Sequence, residues 1–199
     1  MAKDWTGNSK STFVTLGASN HVDRERPPED YFATDPKAVE LLLEAETFTD
    51  TIWEPACGGG HISRTLEAHG YNVISTDLVY RGYGCEDSTV FLKTEVLDFN
   101  GDIITNPPYR YALEFVQKAV NTIKDGHKVA MLLRLQFLEG KARRKFFTQS
   151  PPKTVYVFSS RMKCAMNGEF DSCGSSAIAY AWFVWEKGYT GAPIIKWIG

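Results

Sequence analysis

Residues 51–63 read TIWEPACGGGHIS, in which an apolar run leads into three successive glycines and then into a helical pattern. Gly58, Gly59 and Gly60 let the backbone approach a ligand closely, and the helix behind them offers free N–H groups to a carboxylate or phosphate. Ser63 occupies the third glycine position of the GxGxxG pattern, so the pyrophosphate clamp of a dinucleotide enzyme is not supported. We therefore predict a strand, a glycine turn and a helix that together face a small ligand.

Strands and helices alternate on both sides of this stretch. Upstream, Asp35 can cap a helix and Pro36 suits its first turn, while an apolar face follows at Val39, Leu42 and Leu43. Downstream, the apolar runs YNVISTDL, DIITNPPY and KVAMLLRL are separated by segments with helical spacing. The last run is continuous, which is typical of a strand buried on both faces. This alternation predicts a parallel α/β sheet.

The last third of the chain follows a different pattern. Residues 141–147 (KARRKFF) predict a basic helix, and residues 155–163 (VYVFSSRMK) predict a strand. The apolar run within residues 175–188 is expected to pair antiparallel, so that the final strands and the short run at 193–197 close one edge of the sheet. No repeat or Pro/Gly/Ser linker separates a second domain.

Composition narrows the class of protein. The 199 residues are 43% hydrophobic and 23% charged, which suits one well-buried core, and the formal net charge of −2 gives no global signal for nucleic acid. The four cysteines form no CxxC pair, so we expect reduced thiols and no metal site. Without an apolar span or a signal peptide, a cytoplasmic protein is expected. Residues 1–29 are predicted to form a polar arm, and residues 30–199 one domain.

Two carboxylates flank the glycine turn. Asp77 ends the next apolar run, seventeen positions after Gly60, where an acid can accept both hydrogen bonds of a ribose diol. Glu54 lies just before the glycines, where it would repel a pyrophosphate and could instead face an ammonium group. Together they favour a nucleoside that carries an amino acid over a dinucleotide.

A second motif, Asn-Pro-Pro-Tyr, follows the apolar run 102–105. Pro107 and Pro108 fix the backbone and hold Asn106 in an extended conformation. An amide oxygen and a proline carbonyl that converge can accept both hydrogens of a planar amino group and leave its nitrogen lone pair free to attack. Tyr109 adds an aromatic face on which a heterocycle can stack.

In their order along the chain, these motifs resemble the class I S-adenosylmethionine-dependent methyltransferases. Within that class, NPPY resembles the amino-group methyltransferases of DNA adenine, and the compact chain is most similar to small phage and prophage enzymes. DYFATDP at 30–36 resembles the family's cofactor motif before the first strand, and EPACGGG at 54–60 resembles its glycine loop. The resemblance implies a Rossmann-like, mostly parallel seven-stranded sheet with helices on both faces and an antiparallel edge strand.

The resemblance also implies roles for particular residues. Asn106, Pro107, Pro108 and Tyr109 would form the catalytic loop, with Tyr109 stacked on a flipped base. Asp98 would read the cofactor adenine, although its place before Asn100 and Gly101 also fits a surface turn. The implied contacts with S-adenosylmethionine are Tyr31, Thr34, Glu54, Ala56, Cys57, Gly58, Gly60, Asp77, Leu78, Asp98, Phe99 and Asn106.

DNA is the expected partner, and Arg161 and Lys163 are candidate contacts with it because they precede an irregular insert. The basic run at 141–145 is more typical of a solvated helix face. The chain has no room for a separate target-recognition domain, so short or relaxed sequence specificity is expected from a monomer or homodimer. Alternatives are an RNA adenine or guanine amino methyltransferase, a DNA N4-cytosine enzyme, a protein glutamine methyltransferase and a non-catalytic binding module.

Overall fold

The computed structural model describes residues 32–86, 89–162, 164–166 and 178–199. The predicted arm at 1–29 and the site residues Tyr31 and Lys163 lie outside these ranges. The strands are β1 (Phe32–Thr34), β2 (Thr51–Glu54), β3 (Asn72–Ser75), β4 (Asp102–Thr105), β5 (Lys128–Arg134), β6 (Thr154–Phe158), β7 (Cys164–Met166), β8 (Tyr180–Glu186) and β9 (Ile194–Ile198). The helices are α1 (Pro36–Ala45), α2 (His61–Ala68), α3 (Ala112–Thr122) and α4 (Lys141–Gln149). Short 3-10 helices cover Phe91–Lys93, Tyr109–Tyr111 and Leu135–Leu138.

Seven of the strands form one sheet in the order β3-β2-β4-β5-β8-β6-β9. Every neighbouring pair is parallel except those of β8, which runs antiparallel to both β5 and β6. The predicted mostly parallel sheet is therefore confirmed. The predicted antiparallel pairing toward one edge of the sheet is confirmed as well: β8, with six of its seven residues buried, lies near that edge, and β9, with four exposed residues, forms the border.

Strand β5 shows why the sheet needs helices on both faces. Val129, Met131 and Leu133 pack into a core with α3 and α4, whereas Ala130 and Leu132 pack on the opposite face with α1 and α2. Side chains alternate across a strand, so a continuous apolar run buries both faces. The predicted two-sided burial of this run is confirmed.

Helix α1 begins as its sequence predicts. The Asp35 side chain accepts a hydrogen bond of 3.0 Å from the Lys37 backbone N–H, and Pro36 occupies the first turn, where its missing N–H costs nothing. The helix then packs on the sheet, where Trp182 Nε1 donates to the Ala38 carbonyl at 2.8 Å. In the described part of the chain, no helix combines the length and apolarity needed to cross a bilayer.

Candidate functional site

A cavity of about 720 Å³ opens where β2, β3, β4 and β5 reach their carboxyl ends. This edge is where ligands bind in open α/β sheets, because the loops that leave the strands there diverge. Strand β1, which pairs with β7 outside the main sheet, closes one side of the cavity. The structure brings together these predicted site residues in the lining: Thr34, Glu54, Ala56, Cys57, Asp77, Leu78, Asn106, Pro107, Pro108 and Tyr109.

Glu54 ends β2 and is buried against the start of α2. Its Oε2 accepts hydrogen bonds from the backbone N–H of Ser63, at 2.8 Å, and from the Ser63 hydroxyl. This carboxylate therefore satisfies one of the free N–H groups at the helix N-terminus, a task that the left-handed Gly60 cannot perform with a side chain. Burial raises the pKa of Glu54 well above its usual range, and the nearby Asp77 charge raises it further.

Asp77 follows β3 and holds the glycine turn in place. Its Oδ2 accepts from the Gly58 N–H at 2.8 Å, and its Oδ1 accepts from the Val79 N–H at 3.0 Å. Each carboxylate oxygen can accept more than one hydrogen bond, so capacity for a ligand remains on a side chain that is partly accessible. Asp77 is thus rigid and lines the cavity, as the spacing from the glycines predicts.

Cys57 lines the cavity near these two carboxylates and is buried. Burial, with the Glu54 and Asp77 charges, raises its pKa to about 12. Thiolate is the reactive form of cysteine, so this thiol is expected to be inert.

Gly60 lies outside the cavity lining because another side chain covers it. A Cβ at this position would collide with the ring of Tyr83, and the φ of +80° is a left-handed conformation that suits glycine. Tyr83 is held in place by a hydrogen bond of 2.8 Å from its hydroxyl to Glu67 and by the Arg64 guanidinium 4.7 Å from its ring. The glycine is therefore required here by the close approach of Tyr83.

Asn106 is the first residue after β4 and lines the cavity. Its Nδ2 donates to the Phe32 carbonyl and to Thr34 Oγ1, both at 3.1 Å. Because the Phe32 carbonyl can only accept a hydrogen bond, the amide atom that faces it must be Nδ2, and Oδ1 lies on the other side. Asn106 Oδ1 is left buried and has no hydrogen-bond partner among the described residues. A buried acceptor of this kind is costly unless a ligand donates to it.

Tyr109 lies among aromatic and cationic side chains. Its ring is 5.8 Å from that of Tyr180 and 6.5 Å from that of Phe32, and the Arg134 guanidinium lies 4.8 Å from its centroid. Cation and ring attract each other in this arrangement. The cavity therefore has an aromatic wall beside the unsatisfied amide of Asn106.

No family model matches this chain, and no curated protein does. Solved structures do. One is a modification subunit of a candidate type I restriction enzyme from Vibrio vulnificus, with a TM-score of 0.59 and 13% identity over 92% of this chain and 49% of that one. Another is a candidate RNA methyltransferase from Pyrococcus horikoshii, with a TM-score of 0.52 and 12% identity over 76% and 81% of the two chains.

The type IIG restriction endonuclease BpuSI is also similar, with a TM-score of 0.55 and 15% identity over 84% of this chain and 27% of the endonuclease. This chain has a Rossmann-like methyltransferase fold. It spans about half the length of the Vibrio vulnificus structure.

Five of the predicted site residues that the structure describes lie away from the cavity lining: Gly58 and Gly60 at the glycine turn, and Asp98, Phe99 and Arg161. Asp98 is exposed, with a left-handed φ of 54°. It therefore lies in a surface turn, which the sequence analysis gave as the alternative to a contact with the cofactor adenine. Phe99 packs into the core, 5.7 Å from the ring of Trp53, because its backbone pairs with the end of α3. Arg161 is exposed beyond β6.

Several lining residues were missed by the sequence interpretation. They include His61, Arg81, Lys93, Arg110 and Arg134, which the fold brings to the cavity from different helices, strands and loops. Burial and the Arg64 charge lower the pKa of His61. Arg110 follows NPPY directly and could have been found from that position, whereas nothing local indicates Arg134. Among the described residues, no three His, Cys, Asp or Glu side chains are grouped as metal ligands would be.

Charged side chains of both signs line the cavity. The carboxylates of Glu54 and Asp77 lie at the glycine turn, and the cationic lining residues include Lys93 and Arg110, which are both exposed. Carboxylates suit a cationic or hydroxyl-bearing ligand, and exposed cationic side chains suit an anionic one.

Proposed function

We propose that this chain is an S-adenosylmethionine-dependent methyltransferase that methylates an exocyclic amino group in DNA, namely adenine N6, with short or relaxed sequence specificity. One observation carries the proposal: Asn106 Oδ1 is a buried acceptor without a partner in the described structure, in the same cavity as Glu54 and Asp77. An amino group that enters the cavity would satisfy it. The proposed methyltransferase domain covers residues 30–199.

The residues at the glycine turn fit the cofactor. Glu54 offers a buried carboxylate to the ammonium of its methionine part, and Asp77 offers free acceptor capacity to its ribose hydroxyls. The apolar wall made by Leu78, Val90 and Phe91 suits a heterocyclic ring. Because Asp98 lies outside the lining, we assign the adenine subsite to this apolar wall instead.

The proposed mechanism assigns to the protein the task of alignment. When bound, the cofactor would supply an electrophilic methyl group on a sulfonium, with a neutral thioether as the leaving group that keeps the electron pair of the carbon–sulfur bond. Asn106 Oδ1 and the Pro107 carbonyl accept the two amino hydrogens and direct the nitrogen lone pair toward the methyl carbon. Tyr109 stacks on the base and excludes water. The amino nitrogen becomes acidic as it is alkylated and loses one proton to solvent, so no strong base is required.

A nucleic-acid substrate is favoured by an exposed arginine in the cavity lining. Arg110 is exposed one residue after Tyr109, where a phosphate of a nucleotide stacked on that ring could reach it. The similar restriction-modification structures support DNA, and the similar candidate RNA methyltransferase keeps RNA as the second possibility. Both polymers present a planar amino group to the same acceptor.

The test is transfer of labelled methyl from S-adenosylmethionine to unmethylated DNA, total RNA and a protein extract in parallel, followed by nucleoside analysis. N6-methyladenine in DNA is the expected product. Label in RNA or in protein alone would mean that the substrate is that polymer and not DNA. N4-methylcytosine in DNA would mean that the target base is cytosine and not adenine. Cofactor binding with no transfer to any of them would indicate a binding module.

A further inference from the structure

Arg134 ends β5 and has hydrogen-bonding capacity that nothing else in the described structure uses. Its Nε is buried without a hydrogen-bond partner, and the described residues include no carboxylate in an ion pair with it. Stacking on Tyr109 orients the guanidinium but does not satisfy its N–H groups. A buried donor left in this state costs free energy, so its retention is explained when a ligand supplies the acceptor.

The fold places this donor beside the proposed catalytic amide. Strands β4 and β5 are parallel neighbours with Thr105 paired to Met131, so Asn106 and Arg134 both leave the sheet at its carboxyl edge. Neighbouring strands lie about 4.8 Å apart, which is within the span of one planar heterocycle. Both residues line the cavity, and Arg134 contacts the ring of Tyr109 on which the base would stack.

The two side chains form a complementary pair, with one acceptor on Asn106 and one donor on Arg134. Adenine has a donor and an acceptor side by side on its Watson–Crick edge, the N6 amino group and ring atom N1. Enzymes that act on an extruded base read this edge by hydrogen bonds. The buried position of Nε favours an acceptor on the base itself, because a backbone phosphate of an extruded nucleotide remains near the cavity mouth.

We propose that Arg134 is a substrate-positioning residue that donates a hydrogen bond to N1 of the target adenine while Asn106 accepts a hydrogen bond from the adenine amino group. This inference rests on the proposed function. The pair thereby fixes the rotation of the base in its plane. It also disfavours guanine, in which the position next to the amino-bearing carbon carries an N1–H donor that would face the guanidinium.

The test compares two modified bases at a target site mapped by the labelling experiment above. An oligonucleotide with 1-deazaadenine lacks the N1 acceptor, whereas one with 7-deazaadenine keeps it. For the unaltered protein, we expect 1-deazaadenine to lower the methylation rate about 10- to 100-fold, the loss typical of a hydrogen bond to a charged group, and 7-deazaadenine to leave it nearly unchanged. Equal rates on the two analogues would overturn the proposal without any variant.

Arg134→Met then shows whether this residue is the donor. We expect it to slow methylation of adenine by the same factor and to show no further loss with 1-deazaadenine, because the same hydrogen bond is already absent. The assignment would be overturned if the rate losses caused by Arg134→Met and by 1-deazaadenine multiplied when the two were combined. It would also be overturned if the loss caused by Arg134→Met disappeared in high salt, as expected for a phosphate contact. Arg134→Lys should show the same coupling in weaker form if Arg134→Met fails to fold.

Arg143→Met is the matched control, since this arginine also lies over a ring, that of Phe137 at 5.3 Å, but outside the cavity lining. This variant should methylate the oligonucleotides with adenine, 1-deazaadenine and 7-deazaadenine at the same rates as the unaltered protein does. S-adenosylmethionine binding should be unchanged in every variant. Transfer by the unaltered protein combined with an unaffected Arg134→Met variant would overturn this role alone, whereas no transfer to any amino group would overturn the proposed function and this role together.

Discussion

The two ends of the cavity differ in how their polar groups are satisfied. At the glycine end, defined by Glu54, Gly58 and Asp77, both carboxylates already accept hydrogen bonds from backbone N–H groups. At the NPPY end, defined by Asn106, Tyr109 and Arg134, an amide oxygen and a guanidinium Nε are buried without partners in the described structure. The buried Thr105 hydroxyl, which directly precedes Asn106, likewise has no hydrogen-bond partner among the described residues.

This difference separates two tasks. An end whose carboxylates are held by backbone hydrogen bonds is rigid and can present its remaining acceptor capacity to a ligand, whereas an end with buried, unsatisfied donors and acceptors is completed only by a ligand. The contrast supports the assignment of the cofactor to the glycine end and of the substrate to the NPPY end. Variants at the two ends should therefore affect different measurements.

The largest expected effect is that of Asn106→Ala. We expect methyl transfer to fall about 100- to 1000-fold, the loss typical when a preorganised polar group at a reacting centre is removed, with little change in cofactor binding. Label transfer and titration calorimetry measure the two quantities. Asn100→Ala, on an exposed turn, is the control. Loss of cofactor affinity as great as the loss of transfer would show that the two ends are not separate.

Asp77→Ala should have the converse effect. The cofactor would lose hydrogen bonds to a charged group, and the glycine turn would lose its bond to Gly58, so affinity should weaken by about 1–3 kcal/mol. The transfer rate at saturating cofactor should fall much less. Calorimetry measures the affinity, and Asp125→Ala in an exposed turn provides the comparison. Unchanged affinity would remove Asp77 from the cofactor site.

Gly60→Ala tests whether Tyr83 is what requires glycine at the glycine end. Gly70→Ala is the control, because Gly70 has a φ of +89° and an added Cβ there would meet no atom within 4 Å. We expect Gly70→Ala to lower the free energy of unfolding by about 1–2 kcal/mol, through backbone strain alone. Gly60→Ala should cost about 1–3 kcal/mol more, as overpacking does, and Tyr83→Ala on that background should recover the excess. Urea denaturation measures each value. No recovery in the double variant would mean that Tyr83 is not the cause.

The smallest expected effect is a dependence on pH. The pKa of Glu54 is raised by burial, so the folded protein holds a proton that the unfolded chain releases above its ordinary value of 4.5. Its contribution to stability is therefore complete below that value and is lost as pH rises through the folded-state pKa. Over the same range, affinity for a cationic cofactor should increase, because only the ionised carboxylate attracts the ammonium.

Glu54→Gln should abolish both trends, as measured by denaturation and calorimetry from acidic to neutral buffer. Glu44→Gln, at an exposed position on α1, should retain them. Cofactor affinity that increases with pH equally in Glu54→Gln would assign the trend to another group.

Local sequence predicted much of this molecule. The alternation of apolar runs and helical spacing predicted the mostly parallel sheet, and the continuous apolar run at β5 predicted that this strand is buried on both faces. The turn after β2 and the motif after β4 follow parallel strands, whose carboxyl ends meet at one edge. The position of the glycine turn and the NPPY motif in the same cavity could therefore be predicted from the order of strands and motifs along the chain.

The residues that the sequence misplaced depend on contacts between distant segments. Whether Asp98 reaches the cavity depends on how the preceding loop packs, and Phe99 is drawn into the core by Trp53 and the end of α3. Gly60 is covered by a tyrosine 23 positions later in the chain, and Arg134 reaches Tyr109 only because β5 lies next to β4. Periodicity and spacing determined the elements and the edge at which the site forms. Tertiary packing decided which side chains line it, because the identity of a neighbour across loops depends on sheet order and not on local sequence.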